Sequence, residues 1–505
     1  MLPFTKNNLN EIKQKELTPE DVENQLNIFK KGNQFVFLES AASIKNGILV
    51  LNDEEQLQLQ QKYEATVDDL KVVNFVPASG MATRMFKFLY FFKTTYNPSK
   101  QSLNAYLNNN KSHKLREFIA GMDKFPFSKE VDAELAKKGI QRTPINQYRI
   151  AFINLVLKLY GEIPKGLVPF HNYRGEVVTA FEEQLYESLH YAKSRQSVRL
   201  HFTIPPENSL IIKEFLQPIV SKISKQHNVA VKIEYSHQHP KTDTLAVNHN
   251  NKPIRDHLGQ LVFRNGGHGS LLHNLNELDA DIVFIKNIDN VSKRDWHEKR
   301  ALYKKILAGK LLAVQEKCFQ WIHKIDDGSA NRKELKIFIK EELNLSYLVE
   351  SNDQLFFEAC KKALHRPIRV CGMVKNEGEP GGGPFWVRKN NKNSLQIVES
   401  AQVDMNNNKQ KNIFKSGSHF NPVDLVCGLK DYKGQKFDLT QFSDPSAYLI
   451  SNKSMRGASV KALEHPGLWN GSMSLWTTLF VEVPIFTFTP VKSSNELLRP
   501  GHQVY

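Results

Sequence analysis

Val72-Val73-Asn74-Phe75-Val76-Pro77-Ala78-Ser79-Gly80-Met81-Ala82-Thr83-Arg84 is the stretch from which the rest of the chain is read. Its apolar half, Val72 to Val76, has the length of a buried strand. Pro77 ends that strand, small residues turn the chain, and Arg84 opens a predicted helix. A strand, a small-residue turn and a helix start together make an anion-binding element. Small side chains let backbone N–H groups approach an anion, and the helix N-terminus favours negative charge. Gly-Lys-Ser/Thr is absent, so this is not a Walker A loop. The same stretch also fits an ordinary strand-to-helix turn. A second piece, Pro164-Lys165-Gly166-Leu167-Val168-Pro169, carries a lysine on a loop stiffened by prolines, suited to aiming a point charge at phosphate. We expect the two pieces to meet in space and form one nucleotide site.

The chain has 505 residues, too long for one ordinary core, so one large domain with additions or two domains are expected. Hydrophobic residues make up 40%, enough for a globular fold. No apolar run is long enough to span a membrane, and the first residues lack an apolar signal core. The expectation is a cytoplasmic protein. Lys and Arg number 68 against 53 Asp and Glu, a net charge of +15 that suits anionic ligands or a solvated basic surface. Cys318, Cys360, Cys371 and Cys427 form no Cys-x-x-Cys pair, which argues against a zinc ribbon and a disulfide framework.

Thr18-Pro19-Glu20-Asp21 is a helix start, and residues 1–65 are expected to form a mostly helical lead-in to a domain over 66–505. Residues 88–160 are expected as a helical insertion between the halves of the phosphate site, with a polar loop at Asn108-Asn109-Asn110-Lys111. Helices are expected over Phe181–Tyr191 and Ser209–Ser224, and strands over Val198–Ile204, Val229–Tyr235 and Ile282–Ile285. Such alternation predicts an α/β fold with a largely parallel sheet. A second helical insertion is expected over 296–350, and strands with Gly- and Asn-rich turns over 367–505.

Further motifs follow. Gly266-Gly267-His268-Gly269 precedes a predicted helix and allows close backbone approach to a ligand, or serves as a flexible turn. Asn287-Ile288-Asp289-Asn290 lies at the C-terminal end of a buried strand, where open α/β sheets bind ligands. A lone carboxylate there suits Mg²⁺, which keeps waters and shares ligands with phosphates; a cap or turn role suits it equally. Glu377 to Pro384 is a Gly- and Pro-rich loop, and Pro490-Val491-Lys492-Ser493-Ser494 places a late lysine beyond an aromatic strand.

Taken in order, these pieces resemble the sugar-nucleotide pyrophosphorylases of the UDP-glucose and UDP-N-acetylglucosamine type. That family has a Gly-Gly-x-Gly-Thr-Arg/Ser loop, a Pro-Lys, a Gly-His-Gly and an Asn-x-Asp-Asn. It also has Gly-Gly, Glu-x-Ala-Gln-Val and Phe-Asn motifs on its sugar side, and a late Pro-Val-Lys. Ala78–Arg84, Pro164-Lys165, Gly267-His268-Gly269 and Asn287–Asn290 resemble the first four. Gly382-Gly383, Glu399–Val403, Phe420-Asn421 and Pro490–Leu498 resemble the rest. His465-Pro466-Gly467-Leu468-Trp469-Asn470-Gly471 looks more like a bacterial branch of the superfamily. Ser79 and Ala82 replace two loop glycines, and the Gly-rich stretch ends in Pro384.

The resemblance implies a GT-A, Rossmann-like nucleotidyltransferase core with a mixed, mainly parallel sheet. It implies transfer of a nucleotidyl group, from UTP above all, to a sugar 1-phosphate with release of pyrophosphate. Arg84, Lys165 and Lys492 would be catalytic. Ser79, Gly80, Met81, Ala82, Thr83, Gly267 and His268 would bind nucleotide, and Gly382, Gly383, Glu399 and Asn421 the sugar. Asp289 would bind Mg²⁺. Three other classes remain beside it: a glycosyltransferase on the same fold, a non-catalytic nucleotide or sugar-phosphate binder, and a nucleic-acid binder. No Asp-x-Asp lies near Asp289, which disfavours the first, and no aromatic–basic alternation supports the last.

Overall fold

Buried strands form where β-branched and aromatic residues run together, and capped helices follow them. The computed structural model describes residues 4–108, 112–345, 353–378, 381–455 and 458–504. Asn109, Asn110 and Lys111 of the expected loop, the end of the second insertion, and Glu379 and Pro380 lie outside the described residues. The chain divides into two compact units, and the divisions after Val73 and Ile285 fall inside strands.

The first unit comprises Met1–Val73, Ser236–Ile285 and Lys304–Ile485. Its main sheet is mixed. Thr477–Glu482 runs parallel to Ile368–Lys375 on one side and to Gly47–Leu49 on the other. Asp424–Gly428 joins Ile368–Lys375 antiparallel. A separate antiparallel sheet contains Phe37–Ala41, Gly383–Lys389 and Lys392–Val398. Its tight turn holds Asn390 and Asn391 at φ 50° and 58°, the left-handed pair that a two-residue hairpin needs and asparagine tolerates. A third, antiparallel sheet is built from Phe263–Asn265, Asp243–Val247, Ala458–Glu464 and Leu449–Met455. Helix Pro19–Lys31 starts with a complete capping box between Thr18 and Asp21. Its Val22, Leu26 and Phe29 are buried with Leu245, Val247 and Leu463. The helical character expected through residue 65 is interrupted by the strands Phe37–Ala41, Ser43–Ile44 and Gly47–Leu49.

The second unit comprises Asn74–Tyr235, Lys286–Tyr303 and Phe486–Tyr505. Asn74 to Pro77 runs parallel to Leu200–Thr203. Helices Ala180–Tyr191 and Ser209–His227 and strands Ser197–Thr203 and Ala230–Ser236 fall within three residues of their expected bounds. The described residues of 87–160 are largely helical, with an aromatic core of their own. Phe118, Phe125 and Phe127 stack in series at ring distances of 4.7 and 5.1 Å. Phe86, two residues beyond Arg84, meets Phe127 edge-on, so this core also fixes the end of the phosphate loop. Among the described residues no helix is long and apolar enough to cross a membrane.

Candidate functional site

The two phosphate motifs are joined backbone to backbone. Ala82 N–H donates to the Ile163 carbonyl at 2.9 Å, and Lys165 N–H donates to the Gly80 carbonyl at 3.0 Å. Met81 and Pro164 form the antiparallel bridge between those bonds. The buried strand before the loop is anchored by Ala78 N–H on the Thr203 carbonyl at 2.9 Å. Ser79, Gly80, Thr83 and Arg84 are exposed, whereas Ala82 is buried. The Ala82 amide is thus committed to Ile163, while Ser79, Gly80 and Thr83 are the exposed residues of the loop before Arg84. A short helix, Ala82–Arg84, precedes the longer helix Lys87–Thr95.

The clasp aims Lys165 at Asp289. Its ammonium lies 2.5 Å from Asp289 Oδ2, and the two side chains are only 13% and 17% exposed. That shielding makes the pair stronger than a surface ion pair, because less water competes with it. Asp289 also fixes the last motif: its carbonyl accepts from Val491 N–H at 3.0 Å, beside a bridge between Asn290 and Pro490. Lys492, the next residue, is exposed and lies 5.8 Å from the Phe488 ring. Ser494 N–H returns to the Met85 carbonyl at 3.1 Å. Arg84, Lys165, Asp289 and Lys492 therefore sit on segments tied to one another within the second unit. Among the described residues no three His, Cys, Asp or Glu are placed to hold a metal by themselves. Asp289 as a lone carboxylate fits Mg²⁺ that takes its other ligands from water and phosphate.

A buried polar layer braces these segments, and most of it escaped the sequence reading. Arg300, 1% exposed, donates to Asn290 Oδ1, the Asn290 and Thr487 carbonyls and Thr489 Oγ1 at 2.7–3.1 Å. Gln184 Nε2 donates to the Asn287 carbonyl at 2.9 Å. His502 Nε2 reaches the Thr489 carbonyl at 3.1 Å, and His502 Nδ1 faces His171 Nε2 at 2.9 Å. His171 Nδ1 reaches Glu183 Oε1 at 2.7 Å. Burial works to raise the Glu183 carboxyl, but His171 and His297 outweigh it and hold it at about 2. Burial, then His171 and Arg300, push His502 well below the ordinary histidine value. Glu187 pairs with Lys286, both fully buried. The available signal was Glu183 and Glu187 four residues apart, on one face of the same helix.

The remaining motif residues lie in the first unit and form a second group. The His268 ring stacks on Trp469 at 4.2 Å and 25°. His268 Nδ1 accepts from Leu468 N–H at 3.1 Å. Burial pushes His268 down from the usual histidine value, against the opposing pull of Glu399 and Glu464. Trp469 Nε1 donates to Glu399 Oε1 at 3.4 Å. A Cβ on Gly382 would lie 3.2 Å from Glu399 Cγ, and the Gly382 carbonyl accepts from Asn421 N–H at 2.8 Å. A Cβ on Gly383 would meet the His419 carbonyl at 3.1 Å. Asn421 Nδ2 donates to the Gly372 carbonyl at 3.2 Å and Oδ1 accepts from Val423 N–H at 3.0 Å, so both ends of that side chain are engaged within the protein. The glycines around His268 allow close packing. Gly267 has φ 77°, and a Cβ on Gly269 would collide with the Pro466 carbonyl. Trp469, which links His268 to Glu399, carried no assigned role in the sequence reading.

A family described as a domain of unknown function (DUF4301) matches residues 5–503. The chain belongs to this family. No curated protein matches it by sequence. Solved structures similar to this DUF4301 chain include the uridine diphosphate N-acetylglucosamine pyrophosphorylase from Trypanosoma brucei in complex with inhibitor. It shares 11% identity at a TM-score of 0.48, over 98% of this chain and 82% of that one. A UDP-glucose phosphorylase from Trypanosoma brucei shares 13% identity at a TM-score of 0.46, over 97% and 77%. The UDP-glucose pyrophosphorylase from Leishmania major shares 11% at 0.43, over 98% and 78%.

Proposed function

We propose that the protein is a sugar-phosphate nucleotidyltransferase with a GT-A-like core. It would join a sugar 1-phosphate to a nucleoside triphosphate, UTP in the first instance, and release pyrophosphate. The observation that carries the proposal is the gathering of four sequence-distant pieces in the second unit: the loop 79–84, Lys165, Asp289 and the segment bearing Lys492. Three cationic side chains and one carboxylate on mutually bonded segments are more than a structural turn needs.

The sugar phosphate is already an anionic nucleophile, so attack on the α-phosphorus needs no strong general base. Catalysis is then positioning and charge neutralisation. The loop residues Ser79, Gly80, Met81 and Thr83 receive triphosphate oxygens. Arg84 meets the leaving pyrophosphate, Lys165 the triphosphate and Lys492 the sugar phosphate. Asp289 would hold Mg²⁺ together with phosphate oxygens, and the bound ion would neutralise phosphate charge. The Lys165–Asp289 pair keeps both groups oriented before substrate arrives, each charge serving as a placeholder for the other's ligand. In the first unit, Gly267 and His268 take the nucleoside side, and Gly382, Gly383, Glu399 and Asn421 the sugar.

Pyrophosphate release from UTP, dependent on a sugar 1-phosphate and on Mg²⁺, tests the proposal across a panel of sugar phosphates. A second reading, binding without catalysis, draws on Ser79 and Ala82 in place of glycines and on the commitment of the Ala82 amide to Ile163. It predicts nucleotide binding with no pyrophosphate release for any sugar phosphate.

A further inference from the structure

A cavity of about 600 Å³ opens in the first unit. That is within the usual size of small-molecule sites. Gln402 of the Glu399–Val403 stretch and Asn470-Gly471 touch it, but no residue given a role in the proposed reaction lines it. Its walls come from the hairpin that turns at Asn390 and Asn391, the strand preceded by Phe35, and the segment Ser474–Trp476.

Three features give the cavity a chemical character. The first is unanswered polarity. Trp476 is 4% exposed, yet among the described residues neither its indole N–H nor the Ser474 hydroxyl has a hydrogen-bond partner. A buried donor without an acceptor costs about 1–3 kcal/mol, so a native fold seldom keeps one without a use. The second is charge. Lys389 is engaged by Asp444 at 2.5 Å and Arg388 by Glu39 at 3.4 Å. Arg366, also on the wall, has no carboxylate partner among the described residues; its Nε donates to the Lys362 carbonyl at 3.4 Å. The third is apolar surface. Phe35 and Phe37 line the mouth and are 49% and 39% exposed.

We propose that this cavity is a second ligand site, for a small molecule that joins one anionic group to a flat aromatic body. The anion, a phosphate or a carboxylate, takes Arg366 and, once the Trp476 side chain turns its solvent-closed N–H toward the cavity, that donor too; the ring takes Phe35, beside a Phe37 already stacked on the Arg388 guanidinium at 4.5 Å. The donors are charged or neutral N–H groups with no acidic counterpart left over, which selects against cations. The floor of the cavity is braced to the sugar-side motif. Gln396 Nε2 donates to the Ser474 carbonyl at 2.9 Å, and Gln396 Oε1 accepts from Arg369 at 3.5 Å. Arg369, fully buried, donates to the Trp469 carbonyl at 2.7 Å. The proposal stands apart from the nucleotidyltransferase reading, since its residues and its ligand differ.

Titration of the full chain with phenyl phosphate, benzoate and, as neutral control, benzyl alcohol tests it, read by intrinsic tryptophan fluorescence. At least one of the two anions is expected to give a saturable change, with benzyl alcohol at least tenfold weaker; which anion binds names the head group. Arg366→Ala and Ser474→Phe are each expected to weaken that binding at least tenfold, and Lys165→Ala to leave it unchanged. Arg366 is partly exposed and its loss leaves the core packing intact, so that variant decides the matter even where Ser474→Phe fails to fold. No saturation with either anion, an unchanged affinity in Arg366→Ala, or loss of binding in Lys165→Ala would overturn the proposal.

Discussion

At the scale of single residues, Asp289 and Lys165 hold each other at 2.5 Å in a partly shielded setting. Asp289→Asn keeps the shape and removes the charge. Lys492→Ala removes an exposed cation whose backbone neighbour Val491 is what ties the segment down. If the account holds, each variant loses about 10²–10³-fold in turnover, while circular dichroism and thermal melts stay close to wild type. Near-wild-type turnover in both would remove these residues from the mechanism. The glycines separate function from packing in the same way. Nothing lies within 4 Å of a Cβ on Gly80, whereas one on Gly269 would strike the Pro466 carbonyl. Gly80→Ala is therefore expected to change stability by less than about 0.5 kcal/mol yet lower nucleotide affinity. Gly269→Ala is expected to cost about 1–3 kcal/mol or more from overpacking against rigid backbone. Chemical denaturation of the two variants, paired with nucleotide titration, checks both expectations. Arg84, Lys165, Asp289 and Lys492 could be singled out from sequence because each sits in a short motif with a chemical reason for its residue types. Arg300 and His502 were not, because their roles depend on contacts with residues far away in the chain.

At the scale of elements, helix Ala180–Tyr191 shows what a period reading misses. Its apolar face and its Thr179 capping box with Glu182 define it as a helix in sequence. Its buried Glu183 and Glu187 carboxylates and Gln184 amide show no sign of burial in sequence until the strand end and the C-terminal segment are brought onto them. Glu187 and Lys286 are fully buried partners. Removing one charge, as in Glu187→Ala, leaves the other uncompensated and is expected to cost about 3–5 kcal/mol. Replacing both, as in Glu187→Leu with Lys286→Met, is expected to recover most of that loss. Urea unfolding of the single and double variants measures the difference, and equal losses in both would contradict the pairing. The insertion 88–160 was legible as helical from its apolar spacing. Its aromatic core was not, because Phe118, Phe125 and Phe127 stack across separate helices and turns. The hairpin over 383–398 was anticipated as strands with an Asn-rich turn, and Asn390 and Asn391 supply the positive φ angles there.

At the scale of the whole molecule, buried histidines set the acid limit. Burial drives His268, His465 and His502 below the ordinary histidine value. In the unfolded chain these groups titrate at about 6.5. Below that pH the unfolded chain takes up protons that the native state refuses, so their contribution is full above about 6.5 and is lost as pH falls. Glu183 has the opposite history and a later window: held at about 2, its contribution is present above the ordinary carboxylate value and is lost only as pH falls toward 2. Stability is thus expected to drop between pH 7.5 and pH 5, through the histidines and not through Glu183. His502→Gln is expected to flatten that dependence in urea-denaturation midpoints; an unchanged slope would remove His502 from the explanation. The alternation of strands and helices made the α/β class legible over most of the chain. Where the two units divide was not, because the boundaries fall inside elements: after Val73, Tyr235 and Ile285 in strands, after Tyr303 in a helix and after Ile485 in a short helical turn. The central claim is nucleotidyl transfer at the joined phosphate motifs, and the most direct test is pyrophosphate release from UTP with and without a panel of sugar 1-phosphates, in Mg²⁺, for the wild type and Asp289→Asn. The account predicts release that requires one sugar 1-phosphate and falls by about 10²–10³-fold in the variant; no release with any sugar 1-phosphate, or equal release in the variant, would contradict it.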